Sequence, residues 1–316
     1  MSITEEKTLS FIITKVKLMS PFQIVTLPNT LNSALETWFI QNNLLGGVPY
    51  SAGSNAQNIH NSVVVYLALC EIQTEIIQKL KSNGNKVVLF HMGDEWAKID
   101  ISGYQYCDLV VRNYFFEKII EPINSYPKIF WAPNGFRTGV GPREMTYLKK
   151  SERRHSLASF MGWIKNSVSF NGERNSFAQV VPNCGENLFA MGSDGFASGY
   201  NIGLYSAILE DSVFAPCPAG NSPETIRLYD ALEVGAIPIS LEHSFLKSKN
   251  ALGALGPVPF PILGSWEELP SYLLKMKEVL SSQPDEIDRL QMECINWWAR
   301  YKQFISAHIL GNINQI

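Results

Sequence analysis

Short β-branched runs alternate with helical apolar patterns along this chain, and that alternation constrains its fold more than any other feature. A strand hides alternate side chains and a helix hides a stripe, so a β–α alternation calls for parallel sheets covered by helices. In the first half, residues 22–27 read as a strand that ends at Pro28-Asn29. Residues 31–43 have helical spacing, residues 46–53 are a loop of small residues, and 61–81 read as one long amphipathic helix. Ser82-Asn83-Gly84-Asn85 stops that helix, and 86–90 come next as a buried type of strand. Residues 109–111 and 128–131 read as two more strands.

A second α/β pattern starts at 156–162, continues through 212–216 and 236–239, and passes into a helical tail from Trp266. The polar, basic stretch at 138–154, with Lys149-Lys150-Ser151-Glu152-Arg153-Arg154, is the expected linker. The 316 residues suffice for two domains, because single cores stop growing near ~250 residues. A net charge of −3 argues against a nucleic-acid binder, which carries a basic excess. The cysteines Cys70, Cys107, Cys184, Cys217 and Cys294 form no CxxC and read as buried free thiols. The first residues lack a basic start and a long apolar core, their longest apolar run being Phe11-Ile12-Ile13, so the expected location is cytoplasmic. Peripheral association with a membrane-surface acceptor stays compatible with that reading.

The most informative segment runs from Phe214 to Ile239 as strand, small-residue loop, helix, glycine stop and strand. Ser222 suits an N-cap, Pro223 the first helical position, and Gly235 the left-handed residue that ends a helix. Leu228, Ala231 and Leu232 form the packing face, while Glu224, Arg227 and Asp230, three apart, share the other side. Free N–H groups behind Ala219-Gly220-Asn221 suit a diphosphate, with Arg227 one turn in as added positive charge. Asp230 or Glu224 would accept hydrogen bonds from ribose or sugar hydroxyls. The alternative is plain helix design, since a capped helix with early acid and a terminal glycine occurs in any protein.

The run CPAGNSPETIRLYDALEVGAIPIS resembles the donor-side signature of exostosin-like glycosyltransferases, and members related to the ribitol xylosyltransferases are similar through Pro-Ala-Gly and Pro-Glu-Thr-Ile-Arg. His91-Met92-Gly93-Asp94-Glu95-Trp96, Val111-Arg112-Asn113-Tyr114-Phe115 and Phe160-Met161-Gly162 followed by Arg174 also resemble segments of this group. The resemblance covers residues 86–240, and Asp230 stands where the family often has Glu. It implies a GT-B fold: two Rossmann-like domains facing a cleft, with a C-terminal helical tail. Residues 1–150 would form the acceptor-side domain and 151–290 the nucleotide-sugar domain, with 291–316 a helix packing back on the first. The implied partners are a nucleotide-sugar donor, UDP-linked, and a carbohydrate or glycan acceptor, in polysaccharide biosynthesis. The resemblance further implies inversion at the anomeric carbon and no cofactor or obligatory metal. The sequence has no Asp-x-Asp to hold a divalent ion on donor phosphates, so positive groups and helix dipoles would stabilise the departing diphosphate.

For the donor side the candidates are Gly162, Arg174, Gly220, Asn221, Ser222, Glu224, Thr225, Arg227 and Asp230. Arg174 is included because its planar fork matches phosphate oxygens. Asp94 or Glu95, expected at a strand's carboxyl end, would be the general base that takes the acceptor proton, with Asp94 favoured. A capping role for Asp94 is the competing reading. His91, Arg112 and Asn113 are candidates for the acceptor side, with His91 read first as structural and Arg112 equally readable as the partner of Asp108 or Glu117. His60 and His243 read as structural, and Trp297-Trp298 as a buried anchor rather than a sugar platform. Competing functions are another GT-B activity, such as a nucleotide-sugar epimerase or a fucosyltransferase-like enzyme, and a non-catalytic nucleotide- or carbohydrate-binding module. A metal hydrolase lacks its His/carboxylate spacing here, and a nucleophilic hydrolase its Gly-x-Ser-x-Gly.

Overall fold

A computed structural model of the protein describes residues 23–26, 35–47, 50–52, 58–69, 71–120, 128–165, 167–195 and 198–316. The chain divides into two compact units, Met1–Pro133 with Lys302–Ile316, and Asn134–Tyr301. The amino-terminal segment and Cys70 lie outside the described residues.

In the first unit the strands are β1 (Gln23–Thr26), β2 (Tyr50–Ala52), β3 (Val63–Ala68), β4 (Lys86–His91), β5 (Leu109–Arg112) and β6 (Lys128–Trp131). They form one sheet in the order β2-β1-β3-β4-β5-β6, with every pairing parallel. The helix expected over 61–81 is corrected here: its first half is the strand β3, and helix α1 covers only Thr74–Ser82. Val63, Val64 and Val65 are stiff at χ1 and favour extended backbone. A strand covered on both faces also keeps no polar alternation to betray it. Val64 and Tyr66 of β3 share one core cluster with Val87 and Leu89 of β4 and with Ile77 and Leu80 of α1. Two smaller expectations change as well: residues 50–52 are an edge strand rather than loop, and Phe39–Leu44 form a π-helical turn.

The second unit contains β7 (Ser156–Gly162), helix α2 (Glu173–Val180), β8 (Phe189–Gly192), α3 (Ile202–Glu210), β9 (Ser212–Pro216), α4 (Ile226–Glu233), β10 (Ile237–Leu241) and β11 (Ile262–Leu263). Two longer helices come after them, α5 (Leu269–Ser282) and α6 (Pro284–Ile313). The strands pair in the order β11-β10-β9-β7-β8, again all parallel. Gly235 ends α4 at φ +70°, as the sequence implies.

The division falls at Pro133–Asn134, not near residue 150. Asn134 donates its backbone N–H to Glu224 Oε1 (2.9 Å), and Arg137 donates its N–H and Nε to Asp230 (2.8 Å each), which ties these residues to the second unit. The basic stretch expected as a linker is itself packed. Arg154 is buried and donates to the carbonyls of Ser212 (2.9 Å) and Val234 (2.9 Å), and burial pushes its pKa down to about 10. The tail expected as a separate element at 291–316 is the end of the single 30-residue helix α6. That helix belongs to the second unit as far as Tyr301 and to the first from Lys302. Trp297 and Trp298 are buried, and Trp298 Nε1 donates to Glu233 Oε2 at 2.7 Å. Cys107, Cys184, Cys217 and Cys294 are buried free thiols. Among the described residues, no helix is long and apolar enough to cross a membrane.

Candidate functional site

The second sheet starts at β7, places β8 on one side of it and β9 on the other, and so reverses its direction of growth between β7 and β9. Parallel strands end there with their connections diverging to opposite sides, which leaves a crevice outside the carboxyl ends. In this chain those ends are Gly162 and the loop Cys217-Pro218-Ala219-Gly220.

Two guanidiniums occupy that place. Arg174, from the first turn of α2, donates Nε to the Ala219 carbonyl (2.9 Å) and Nη1 to the Trp163 carbonyl (3.2 Å). Arg227, from the first turn of α4, donates Nη2 to the Met161 carbonyl and Nη1 to the Tyr205 hydroxyl (3.3 Å). Both lie over the buried ring of Phe160, with Cζ 5.1 Å and 4.2 Å from its centroid. Arg174 is 7% exposed and Arg227 6%, so neither charge is solvated by bulk water. Among the described residues, no carboxylate oxygen comes within ion-pair distance of either group. Nε of Arg227 is buried without a hydrogen-bond partner.

Burying like charges together is costly, because each loses hydration and repels the other. Burial, and next the Arg227 charge, push the Arg174 pKa down to about 9, with Glu173 opposing the shift. That value is still above neutrality, so the guanidinium keeps its proton. The fork geometry of arginine is the one that matches anions with several oxygens.

The walls are fixed by further residues, of which Glu173, Trp266, Tyr200 and Tyr205 were not singled out by the sequence. Glu173 Oε1 accepts from the Ala219 N–H (3.0 Å) and Trp266 Nε1 (3.1 Å), which holds the loop after β9. Glu173 Oε2 lies 3.3 Å from His243 Nε2, so that histidine has a neighbour the sequence did not reveal. Gly162 has φ +152°, and a Cβ there would stand 2.7 Å from Arg227 Nη2. Tyr200 stacks on Tyr205 and donates its hydroxyl to the Met161 carbonyl (3.3 Å). Cys217 is fully enclosed, and burial pushes its thiol up to about 12, which makes it inert.

The structure therefore brings together Gly162, Arg174, Gly220 and Arg227, with an added Cβ on Gly220 falling 3.9 Å from Arg174 Nη2. It separates out the two acids. Glu224 Oε1 accepts from the Asn134 N–H (2.9 Å) and from the Tyr229 hydroxyl (2.9 Å). Asp230 is 0% exposed and accepts from Arg137 and from the Tyr205 hydroxyl (3.1 Å). Glu224 and Asp230, expected to meet donor hydroxyls, here hold residues 134–137 through Glu224 Oε1 and both Asp230 oxygens. The cap is also one turn later than expected. Thr225 is the N-cap of α4, while Ser222 Oγ donates to the Glu224 carbonyl (3.5 Å) and Asn221 lies in the preceding bend.

In the first unit, the candidates at the ends of β4 and β5 bind one another. Asp94 Oδ1 accepts from the Lys98 N–H (3.0 Å), and Oδ2 pairs with Arg112 Nη2 (3.3 Å), with both residues buried. The favoured base is thus a turn cap and ion-pair partner, and Arg112 pairs with neither Asp108 nor Glu117. Asp108 instead holds Lys81 (2.7 Å) and Lys86 (3.6 Å). His91 Nδ1 is 2.7 Å from the Tyr104 hydroxyl inside the core, and Asn113 Oδ1 accepts from the Gly93 N–H (2.8 Å). Glu95 is the partly exposed acid of the set and accepts from the Tyr114 hydroxyl at 2.8 Å.

Fold and site define the class first: a parallel α/β protein whose second unit carries buried guanidiniums at the switch point of its sheet. The chain belongs to the RXYLT1 C-terminal domain family, whose model matches residues 144–316. It is similar to ribitol-5-phosphate xylosyltransferase 1 of Danio rerio, 29% identical over 107 residues, which are 31% of this chain and 24% of that protein. To ribitol-5-phosphate xylosyltransferase 1 of Homo sapiens it is 24% identical over 178 residues, 50% of this chain and 38% of that protein. The matched stretches thus span well under half the length of these relatives. The family match covers most of the unit that bears the two arginines.

Proposed function

We propose that this chain is a glycosyltransferase that moves a sugar from a nucleotide-linked donor to a hydroxyl of a polyol or carbohydrate acceptor. One observation carries the reading: Arg174 and Arg227 are buried over the same Phe160 ring at the switch point of a parallel sheet, without a carboxylate partner among the described residues. A nucleoside diphosphate is the leaving group of sugar transfer, and its departure builds negative charge where these guanidiniums lie. Fixed positive groups in a water-poor site stabilise that charge without reorganising. The names of the relatives point to xylose as the sugar and to a ribitol phosphate as the acceptor. UDP as the carrier, inversion, a GT-B arrangement, the wider exostosin-like affiliation and independence from metal belong to this proposal. Two successive parallel units support the GT-B part. Inversion requires a base on the acceptor side, and Glu95 suits it better than Asp94, whose oxygens serve Lys98 and Arg112.

The proposal is tested with Arg227→Ala. Calorimetric titration with UDP should show affinity lowered by about 10- to 150-fold, the worth of a charge-assisted hydrogen bond, and turnover of UDP-xylose should vanish. Circular dichroism should be unchanged. Near-normal turnover in this variant would sink the diphosphate assignment.

A further inference from the structure

Arg227 and Asp230 stand three residues apart on α4, the spacing at which opposite charges on a helix ordinarily pair. They do not pair here. Asp230 Oδ1 accepts from the backbone N–H of Arg137 (2.8 Å), and Oδ2 accepts from Arg137 Nε (2.8 Å) and the Tyr205 hydroxyl (3.1 Å). Arg227 reaches that carboxylate only through Tyr205, whose hydroxyl accepts from Arg227 Nη1 at 3.3 Å. The Arg137 guanidinium lies 3.9 Å from the centroid of the Tyr205 ring, and that of Arg227 lies 5.3 Å from the same centroid. Two cations thus compete for one buried anion, and Arg137 holds it.

We infer that Arg137 is a positioning residue that sequesters Asp230, so that the charge of Arg227 stays open for an anionic ligand. The inference rests on the reading of Arg174 and Arg227 as a diphosphate site and adds how that site is kept unneutralised. Burial by itself would lower the Arg137 pKa, but the Asp230 carboxylate more than offsets it and holds the group firmly charged. Without Arg137, the buried carboxylate would lack its partner, and the nearest unpaired cation on its own helix face is Arg227. An Arg227–Asp230 pair would cancel the charge of Arg227, leaving Arg174 alone, and swing the Arg227 guanidinium off the Met161 carbonyl.

The whole chain is titrated with UDP as wild type, Arg137→Met, Asp230→Asn and the double variant. Methionine keeps an apolar stem on Tyr205 and removes the charge. Arg137→Met should bind UDP roughly tenfold more weakly, within the range of coupling between contacting groups. The double variant should return to within about threefold of wild type, because its residue 230 carries no charge to capture Arg227. A purely structural Arg137 would lower the urea midpoint of Arg137→Met yet leave UDP affinity unchanged where circular dichroism shows that variant folded, so binding is measured under those conditions, and a double variant as weak as the single one overturns the inference. So does a single variant that binds like wild type. If Arg137→Met does not fold, Arg137→Gln takes its place against the same double-variant criterion. Should wild type bind neither UDP nor another nucleoside diphosphate, the diphosphate reading falls, and this inference with it.

Discussion

At the scale of single residues, the site depends on how close a main chain can come to a guanidinium. Gly162 meets Arg227 where a Cβ would stand 2.7 Å from Nη2, at a φ of +152° that side chains rarely adopt. Gly162→Ala should therefore cost about 1–3 kcal/mol of stability through strain and displace Arg227, so diphosphate affinity should fall along with the urea midpoint. Unchanged affinity would show that Arg227 is not held against this strand end. Arg174, Gly220 and Arg227 were legible in the sequence because a strand, a glycine loop and a helix start are local signals. Arg137 was not, since its partner Asp230 is 93 residues away and nothing in Asn134-Gly135-Phe136-Arg137 announces it. Glu173 was missed for a similar reason, its contact with Ala219 spanning 46 residues. Asp94 and Asp230 look like free chemistry in a sequence, because a carboxylate carries no mark of whether its lone pairs are already spent.

At the scale of elements, most strands were readable because parallel strands buried on both faces are runs of apolar, β-branched residues. The same rule undid the helix expected over 61–81: an apolar run of strand length joined directly to a helix looks like one longer helix. The end of α4 and the start of β10 were readable too, from Gly235 and the apolar run behind it. Helix α6 is anchored on α4 through its tryptophans. Trp298 donates to Glu233 (2.7 Å) and stacks at 6.2 Å on Tyr301, and Trp297 stacks on Tyr301 at 5.3 Å. Trp298→Ala should lower stability by about 3–5 kcal/mol, the usual cost of emptying a buried aromatic site, and urea denaturation monitored by circular dichroism measures it. A loss below about 1 kcal/mol, the scale of a surface change, would contradict the anchoring role.

At the scale of the whole molecule, the boundary between units is set by buried pairs rather than by composition. The basic stretch at 149–154 looks like a linker, yet Arg154 is buried there on the Ser212 and Val234 carbonyls. The second unit begins instead at Asn134, ten residues before the family match at 144. Those ten residues carry Asn134 and Arg137, the partners of Glu224 and Asp230. A fragment of residues 134–301 should thus hold together better than one of 144–301. Loss of Arg137 breaks a buried ion pair on Asp230, a penalty of up to about 3–5 kcal/mol before any re-pairing with Arg227. Loss of the Asn134 contact adds about 1.5–3 kcal/mol for a hydrogen bond to a charged group, with Tyr229 still donating to the same Glu224 oxygen. Together these match much of a domain's net stability of ~5–15 kcal/mol, so the shorter fragment should be largely unfolded in dilute buffer while the longer one shows a cooperative urea transition. Equal midpoints for the two fragments would mean that the Arg137–Asp230 pair adds nothing to the fold, and that the unit's boundary lies closer to the family's own limit at 144.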